Sequence, residues 1–317
     1  RYEIHKVMGP DEYHEGYPDA EEPGLSNNAY TNVMVVWIFM RVREVLALLP
    51  EERRRDLTEI LGLKEAELKK WERMSRKMRV VFHEDGVISQ FEGYEDLLEF
   101  DWEGYRKKYG NINRLDRILE AEGDTPNRYK LSKQADVLML FYLLSSEELQ
   151  TIFERLDYPF TPDTISKTVE YYHPRTSHGS TLSQVVHAWV MVRSDREASW
   201  QHFLGALESD VADVQGGTTP EGIHTGAMAG TVDLIQRAYT GIELRDDVLW
   251  FNPRLPGEIK EMWMNIVYRG VSLHLRLDQE RLSVEADGAS AGTIDIGFAG
   301  KVYPIKGGEK REFPEPG

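Results

Sequence analysis

The apolar residues of this chain change their spacing once, close to Gly241. Before that point, over 29–80 and 133–240, they recur every three or four residues, as on the buried face of a helix. Residues 1–28 are predicted to be a long loop, and the irregular, aromatic-rich stretch 81–129 is predicted to hold short elements. Beyond Gly241, leucine and valine alternate with polar residues over 271–277, which is the spacing of a half-buried strand. The sequence therefore predicts a helical region over residues 1–241 and a small antiparallel β domain, a sandwich, over residues 242–317.

The predicted helices differ in how much of their circumference is apolar. The segment 29–49 is apolar nearly all round, which predicts burial on most sides, whereas 51–80 has one apolar face. An alternation of these two kinds is typical of two concentric layers, as in an α/α barrel, where loops at one rim build the active site. Further helices are predicted to begin at Ser145 and Thr161 and to cover 133–144, 181–194, 196–211 and 222–240.

The composition excludes several classes of partner and of chemistry. A formal charge of -16 over 317 residues argues against nucleic acid, which is bound by basic patches. The chain has no cysteine, which removes disulfides and thiol chemistry, and its histidines lack metal-ligand spacing. No apolar run approaches the roughly 20 residues that cross a membrane. We expect a cytoplasmic protein without a metal.

The chain opens at Arg1 with no initiator methionine, and sequence with catalytic character follows within a few residues. We therefore expect a fragment of a longer polypeptide.

Adjacent acidic residues, Asp11 and Glu12, are followed by the aromatic side chains of Tyr13 and His14. A carboxyl group held partly away from water keeps its proton near neutral pH, as a general acid must. The alternative is a solvated acidic loop in front of a helix, and the local residues alone favour that alternative.

Lys133, Gln134 and Asp136 stand directly before the apolar run 137–144. Lysine and glutamine can donate hydrogen bonds to sugar hydroxyls, and aspartate can accept them. A polar first turn of a helix, with Asp136 favoured by the helix dipole, explains the same residues equally well.

The segment His178-Gly179-Ser180-Thr181 leads into a predicted helix. Glycine allows a close approach of the backbone, and hydroxyls with free amides at a helix N-terminus attract anions. A capping box from Thr181 to Gln184 is the alternative, and both can hold at once.

Glu221 follows Thr219 and Pro220 in what reads locally as an ordinary helix start. The glycines at 216 and 217 are the feature that a helix start leaves unexplained.

These segments together resemble glycoside hydrolase family 65, which contains maltose, kojibiose, nigerose and trehalose phosphorylases. The resemblance implies the second half of an (α/α)6 barrel over 1–241, followed by the C-terminal β domain, with the earlier half of the polypeptide missing. The shared motifs are 8–14, 27–32, 90–94, 133–136, 175–183 and 219–224.

The resemblance also assigns roles. Glu12 matches the general acid, Lys133 and Gln134 match residues that bind the sugar, and residues 178–181 match the phosphate-binding segment. We also place Asp11 and Glu221 on the substrate side, and the exact role of Glu221 stays open.

The implied reaction is inverting phosphorolysis of an α-linked glucose disaccharide. Glu12 would protonate the glycosidic oxygen while inorganic phosphate, the co-substrate, attacks from the opposite face and gives β-glucose 1-phosphate. Phosphate needs no base, and residues 173–183 contain no Asp or Glu. We expect no cofactor. We also expect the protein to form a homo-oligomer. The alternatives are an inverting hydrolase with Glu221 as its base, or a carbohydrate-binding remnant without activity.

Overall fold

The computed structural model describes residues 1–213, 217, 219–290 and 292–314. Those residues form two compact units, 1–183 and 184–317, which are described separately below. The predicted order, helices followed by a β domain rich in antiparallel pairs, is confirmed. Within the described ranges no helix has both the length and the apolar character that crossing a membrane requires.

The first unit is helical, with long connecting segments. The predicted segment 51–80 is two helices separated by a turn, and the aromatic-rich stretch after it holds two short helices. The helices are α1 (Ala29–Leu48), α2 (Glu51–Ile60), α3 (Glu65–Ser75), α4 (Trp102–Tyr109), α5 (Leu115–Ala121), α6 (Asp136–Leu143), α7 (Ser146–Arg155), α8 (Pro162–Tyr172) and α9 (Thr181–Met191), the last of which continues into the second unit.

Side chains fix several helix starts in the way the sequence suggests. The Asn28 side chain accepts a hydrogen bond from the backbone N–H of Thr31 at the start of α1. Ser145 and Glu148 form a reciprocal capping box at the start of α7, where a helix start was predicted. The start of α9 differs, because Thr181 already lies inside the helix and the Ser180 hydroxyl accepts from the Leu182 N–H at 3.3 Å.

Helix α1 is less buried than its composition predicts. Its buried residues are confined to the first two turns. Helices α3 and α6 pack against it, and Phe39 of α1 stacks on Trp71 of α3. Towards its end, Ile38 is 46% exposed, Val45 52% and Leu48 83%. The expectation of burial on most sides is therefore wrong for this chain, because the described residues cover only one face of the helix.

Among the described residues, the second unit contains the rest of α9, two more α-helices and eight strands. The helices are α10 (Arg196–Glu208) and α11 (Thr225–Asp233), which continues as one π-helical stretch over Leu234–Ala238. The strands are β1 (Glu243–Arg245), β2 (Val248–Phe251), β3 (Glu261–Tyr268), β4 (Val271–Asp278), β5 (Arg281–Ala286), β6 (Thr293–Phe298), β7 (Lys301–Lys306) and β8 (Lys310–Pro314).

The strands make two four-stranded sheets, in the orders β1-β2-β6-β7 and β3-β4-β5-β8. Every named pairing is antiparallel except that of β2 with β6, which is parallel. Strand β4 buries its alternate residues from Val271 onward, as predicted, and Leu275 stands opposite Val284 of β5. The two sheets share one apolar core, so the unit is a sandwich.

The same core includes residues of the preceding helices. Val192 and Tyr239 are buried in it, and Trp200 and Ile235 pack against it. The secondary structure changes from helix to strand between Ala238 and Glu243. The compact units nevertheless divide much earlier, at residue 183, since these helices bury their apolar side chains against the strands.

Gly241, at the change of periodicity, adopts a backbone conformation that other residues avoid. Its φ is +62°, and a Cβ atom there would lie 2.1 Å from the backbone oxygen of Asn252. We expect Gly241→Ala to lower the free energy of unfolding by about 2 kcal/mol or more, from backbone strain and overpacking together. Chemical unfolding followed by tryptophan fluorescence measures this.

The matched control is Gly257→Ala, because a Cβ at Gly257 meets nothing within 4 Å. Equal unfolding midpoints for the two variants would contradict the expected role of Gly241.

Candidate functional site

Three segments that are distant in sequence meet inside the first unit: 9–14, 132–136 and 175–179. The second and third lie side by side as a short parallel bridge between Ser132 and Thr176. The Ser132 N–H donates to the oxygen of Arg175, and the Ser177 N–H donates to the oxygen of Ser132, both at 2.8 Å. The fold therefore gathers the predicted acid, sugar and phosphate segments into one place.

Asp11 joins the first segment to the second. Its Oδ1 accepts the backbone N–H groups of Lys133 at 2.6 Å and Gln134 at 3.2 Å. Its Oδ2 accepts from the Gln90 amide and lies beside His14 Nδ1, each at 3.0 Å. The side chain is buried, with the residue only 2% exposed. We predicted Asp11 on the substrate side; the structure places it beneath the loop, because its carboxylate is surrounded by donors of the chain itself.

Asp136, the first residue of α6, makes the return contact. Its Oδ1 accepts the backbone N–H of Asp11 and its Oδ2 accepts the Asn28 side-chain amide, both at 2.6 Å. Burial, and then the neighbouring charge of Asp11, hold the pKa of Asp136 well above its usual range. Gly9 packs directly on this carboxylate, since a Cβ there would lie 1.8 Å from Asp136 Oδ2.

Glu12 points the other way from its buried neighbours. Tyr13 and His14 turn inward, while the Glu12 side chain is 60% exposed and its Oε2 accepts from Lys133 Nζ at 2.6 Å. The expectation of a carboxyl held away from water is therefore wrong for this chain, because the flanking aromatic side chains do not cover it. The φ of Glu12 is +63°, a strained conformation that costs on the order of 1–3 kcal/mol.

Gly179 lies against the same lysine. A Cβ at this position would come within 3.1 Å of Lys133 Cγ, 2.7 Å of the Tyr13 hydroxyl and 2.5 Å of the Asn113 oxygen. The Lys133 side chain thus contacts Glu12 at its tip and passes close to Gly179 along its stem. Glu12 and the predicted anion loop therefore both lie next to the side chain of Lys133.

The anion loop itself is held by its own side chains. His178 also has a left-handed backbone, with φ of +57°, and its Nδ1 lies 2.9 Å from the Ser183 hydroxyl. Ser180 is partly exposed, whereas Thr181 is buried. Among the residues predicted to bind phosphate, Ser180 and His178 are therefore more open than Thr181.

Among the described residues, the side-chain amide of Gln134 has a hydrogen-bond partner for its nitrogen but none for its oxygen. Its Nε2 donates to the Pro10 oxygen at 2.9 Å, which adds a further link to the acid loop. Its Oε1 is buried and has no hydrogen-bond partner among the described residues. An acceptor in this condition is suited to a donor from a ligand.

Glu221 ends a short 3-10 helix, Thr219–Glu221, in the second unit. Its side chain lies outside the described residues, so its predicted substrate role stays a prediction.

Three further residues, Gln90, His14 and Tyr13, make hydrogen bonds in this site that were not predicted from the sequence. Gln90 donates to Asp11, and His14 is buried between Asp11 and the Tyr129 oxygen, which lies 3.0 Å from His14 Nε2. The Tyr13 hydroxyl lies 3.0 Å from the Ser177 hydroxyl, and burial raises the pKa of Tyr13. The sequence signal that could have pointed to these residues is that they lie within the motifs 8–14 and 90–94.

Two family models match the chain. The glycosyl hydrolase family 65 central catalytic domain matches residues 1–233, and the family 65 C-terminal domain matches residues 242–304. An uncharacterized glycosyl hydrolase of Mycobacterium tuberculosis is 53% identical over 98% of this chain and 23% of its own length. Trehalose 6-phosphate phosphorylase of Lactococcus lactis is 36% identical over 90% of this chain and 36% of its own length.

Kojibiose phosphorylase of Halothermothrix orenii is 30% identical over 90% of this chain and 34% of its own length. The chain thus spans 23% to 36% of the length of these three curated relatives. A solved structure, a putative kojibiose phosphorylase from human microbiome, superposes with a TM-score of 0.79 and 22% identity. That match covers 99% of this chain and 42% of the solved chain, and it shows a shared fold.

Asp136 predicts a pH dependence of stability. A carboxyl whose pKa is raised by folding stabilises the fold fully below the ordinary aspartate range, and this contribution is lost as pH rises through the raised pKa. Asp136→Asn cannot ionise. We therefore expect the wild type to lose free energy of unfolding relative to this variant as pH rises from about 4, by at most about 1.4 kcal/mol per pH unit.

Urea unfolding of both proteins across this pH range gives the difference directly. A difference that stays constant with pH would show that Asp136 does not change its protonation in the fold.

Proposed function

This chain belongs to glycoside hydrolase family 65, and we propose that it carries the catalytic loops of an inverting phosphorylase acting on α-linked glucose disaccharides. The observation that carries this proposal is that one side chain, Lys133, contacts Glu12 and lies close to Gly179. Phosphorolysis requires a proton donor for the leaving oxygen and a site for phosphate near the same sugar, and the two predicted groups meet at this lysine. We further propose residues 1–241 as part of the catalytic barrel and 242–317 as the C-terminal domain.

Glu12 acts as the general acid in this proposal. It transfers its proton to the glycosidic oxygen as the bond from that oxygen to the anomeric carbon breaks. A bound sugar would cover the carboxyl that is exposed in this chain, and a carboxyl removed from water retains its proton more readily. Lys133 donates to Glu12 Oε2 in this chain. In the proposed reaction its ammonium group turns to the bound phosphate, which removes from Glu12 a positive charge that would oppose its protonation.

Inorganic phosphate supplies the nucleophile. His178, Gly179 and Ser180 form the loop that would bind it, with the positive charge of Lys133 alongside. Phosphate is already anionic near neutral pH and needs no carboxylate to activate it, which fits a loop that contains no acidic residue. Attack on the face opposite to the leaving oxygen gives β-glucose 1-phosphate.

The remainder of the polypeptide is part of the proposal. This chain spans 23% to 36% of the length of the curated relatives, and the exposed apolar side chains at the end of α1 offer a surface for further helices. We propose that such helices cover Ile38, Val45 and Leu48 and complete the sugar site.

Glu12→Gln tests the acid. We expect it to lower the rate of disaccharide phosphorolysis by about 10²–10⁴-fold, because glutamine cannot donate the proton. The assay measures glucose 1-phosphate release from trehalose, trehalose 6-phosphate, kojibiose, nigerose and maltose, with and without phosphate, using the whole polypeptide that contains this sequence.

Glu15→Gln is the matched control, since Glu15 is an exposed carboxylate in the same loop. Turnover that is undiminished in Glu12→Gln would refute the assignment of the acid. Glucose release that does not depend on phosphate would indicate a hydrolase, and sugar binding with no turnover of any disaccharide would indicate a binding remnant.

His178→Ala tests the anion loop. We expect a several-fold higher KM for phosphate with a nearly unchanged KM for the disaccharide, because the substitution removes a polar side chain from the loop and not from the sugar contacts. His5→Ala, a histidine outside the loop, is the control. An unaltered KM for phosphate in His178→Ala would remove this residue from the anion site.

A further inference from the structure

Asp11 and Asp136 make a reciprocal contact between two segments that are 125 residues apart in the chain. The carboxylate of Asp136 accepts the backbone N–H of Asp11. The carboxylate of Asp11 in turn accepts the backbone N–H groups of Lys133 and Gln134. Each side chain therefore binds the main chain of the other segment, so neither segment can shift without breaking hydrogen bonds in both directions.

We infer that Asp11 and Asp136 are positioning residues that fix the carboxyl of Glu12 relative to the ammonium group of Lys133. Glu12 follows Asp11 directly, and Lys133 is one of the two residues whose amides Asp11 binds. The pair thus ties the main chain at Lys133 and at Asp11, the residue directly before Glu12. This inference rests on the proposed function, in which Glu12 is the acid.

The burial of both carboxylates excludes a direct role in holding the sugar. Asp11 is 2% exposed and Asp136 is 1% exposed. A carboxylate offers about four acceptor positions, and Asp11 has four neighbours within hydrogen-bond distance: Lys133 N, Gln134 N, Gln90 Nε2 and His14 Nδ1. Its capacity is therefore used inside the protein.

The conformation of Glu12 supports the same role. A left-handed backbone at a residue other than glycine persists only where the surroundings impose it. Asp11, immediately before Glu12, is fixed through its N–H and through both of its side-chain oxygens. Gly9 packs against Asp136, where any side chain would collide with the carboxylate. The loop is thus fixed on the N-terminal side of Glu12, the residue with the left-handed backbone.

Removing the carboxylate of Asp11 or Asp136 should slow proton transfer from Glu12 more than it weakens the binding of sugar or phosphate. A disaccharide needs a proton on its leaving oxygen, whereas α-glucosyl fluoride reacts with phosphate to give glucose 1-phosphate and a fluoride ion, which needs much less help from an acid. A residue that positions Glu12 should therefore matter for the first donor and much less for the second. A residue needed only for folding should affect both donors equally.

Asp136→Asn, made in the whole polypeptide, is the test. We expect kcat/KM for the disaccharide to fall on the order of 10²-fold, with a several-fold fall at most for α-glucosyl fluoride. Thr168→Val is the control, because it removes a buried hydroxyl that bonds Ile88 and Thr164, away from the loop. We expect this variant to leave the ratio of the two donors unchanged.

Equal losses for the two donors in Asp136→Asn, or an unchanged rate with the disaccharide, would overturn the inference. If Asp136→Asn does not fold, Asp11→Asn replaces it, since this variant can keep the oxygen that faces the amides of Lys133 and Gln134. The ratio for Glu12→Gln is measured in parallel. If Glu12→Gln leaves the ratio of kcat/KM for the disaccharide to that for α-glucosyl fluoride unchanged, Glu12 is not the acid. If Glu12→Gln changes this ratio and Asp136→Asn does not, Glu12 remains the acid and the positioning role is refuted.

Discussion

The hydrogen bonds between Asp11 and Asp136 are the constraint on which the candidate site depends. Placing two carboxylates side by side away from water is unfavourable unless donors surround them. Here backbone N–H groups and the amides of Asn28 and Gln90 supply those donors. Burying the two carboxylates lowers the stability of the fold at this point. It also holds two segments that are distant in sequence, 9–14 and 132–136, in one geometry.

This geometry gives two adjacent acidic residues, Asp11 and Glu12, opposite exposures to solvent. Asp11 is buried and structural, whereas Glu12 is exposed and available to a substrate. The anion loop shows a similar division, with Thr181 buried in the start of α9 and Ser180 partly open. In both loops a residue open to solvent stands next to a buried one that anchors the loop. A rigid anchor beside a reactive group is how proteins hold catalytic groups in place.

Much of this site could be predicted from the sequence, because its parts lie in short motifs that occur in a fixed order along the chain. The motifs at 8–14, 133–136 and 175–183 were found in that way, and the structure brings all of them together in the first unit. The inward turn of Asp11 and the part played by Gln90 could not be predicted, because both depend on contacts between segments distant in sequence.

The sequence by itself determined where helices give way to strands, since apolar spacing is a local property that each element expresses through its own backbone hydrogen bonds. It also determined which residues of β4 face the core. Only the tertiary structure decided how far α1 is covered and which of the two adjacent acids faces water. Those outcomes depend on which neighbours arrive from elsewhere in the chain, and burial is a property of the packed neighbours and not of the residue alone.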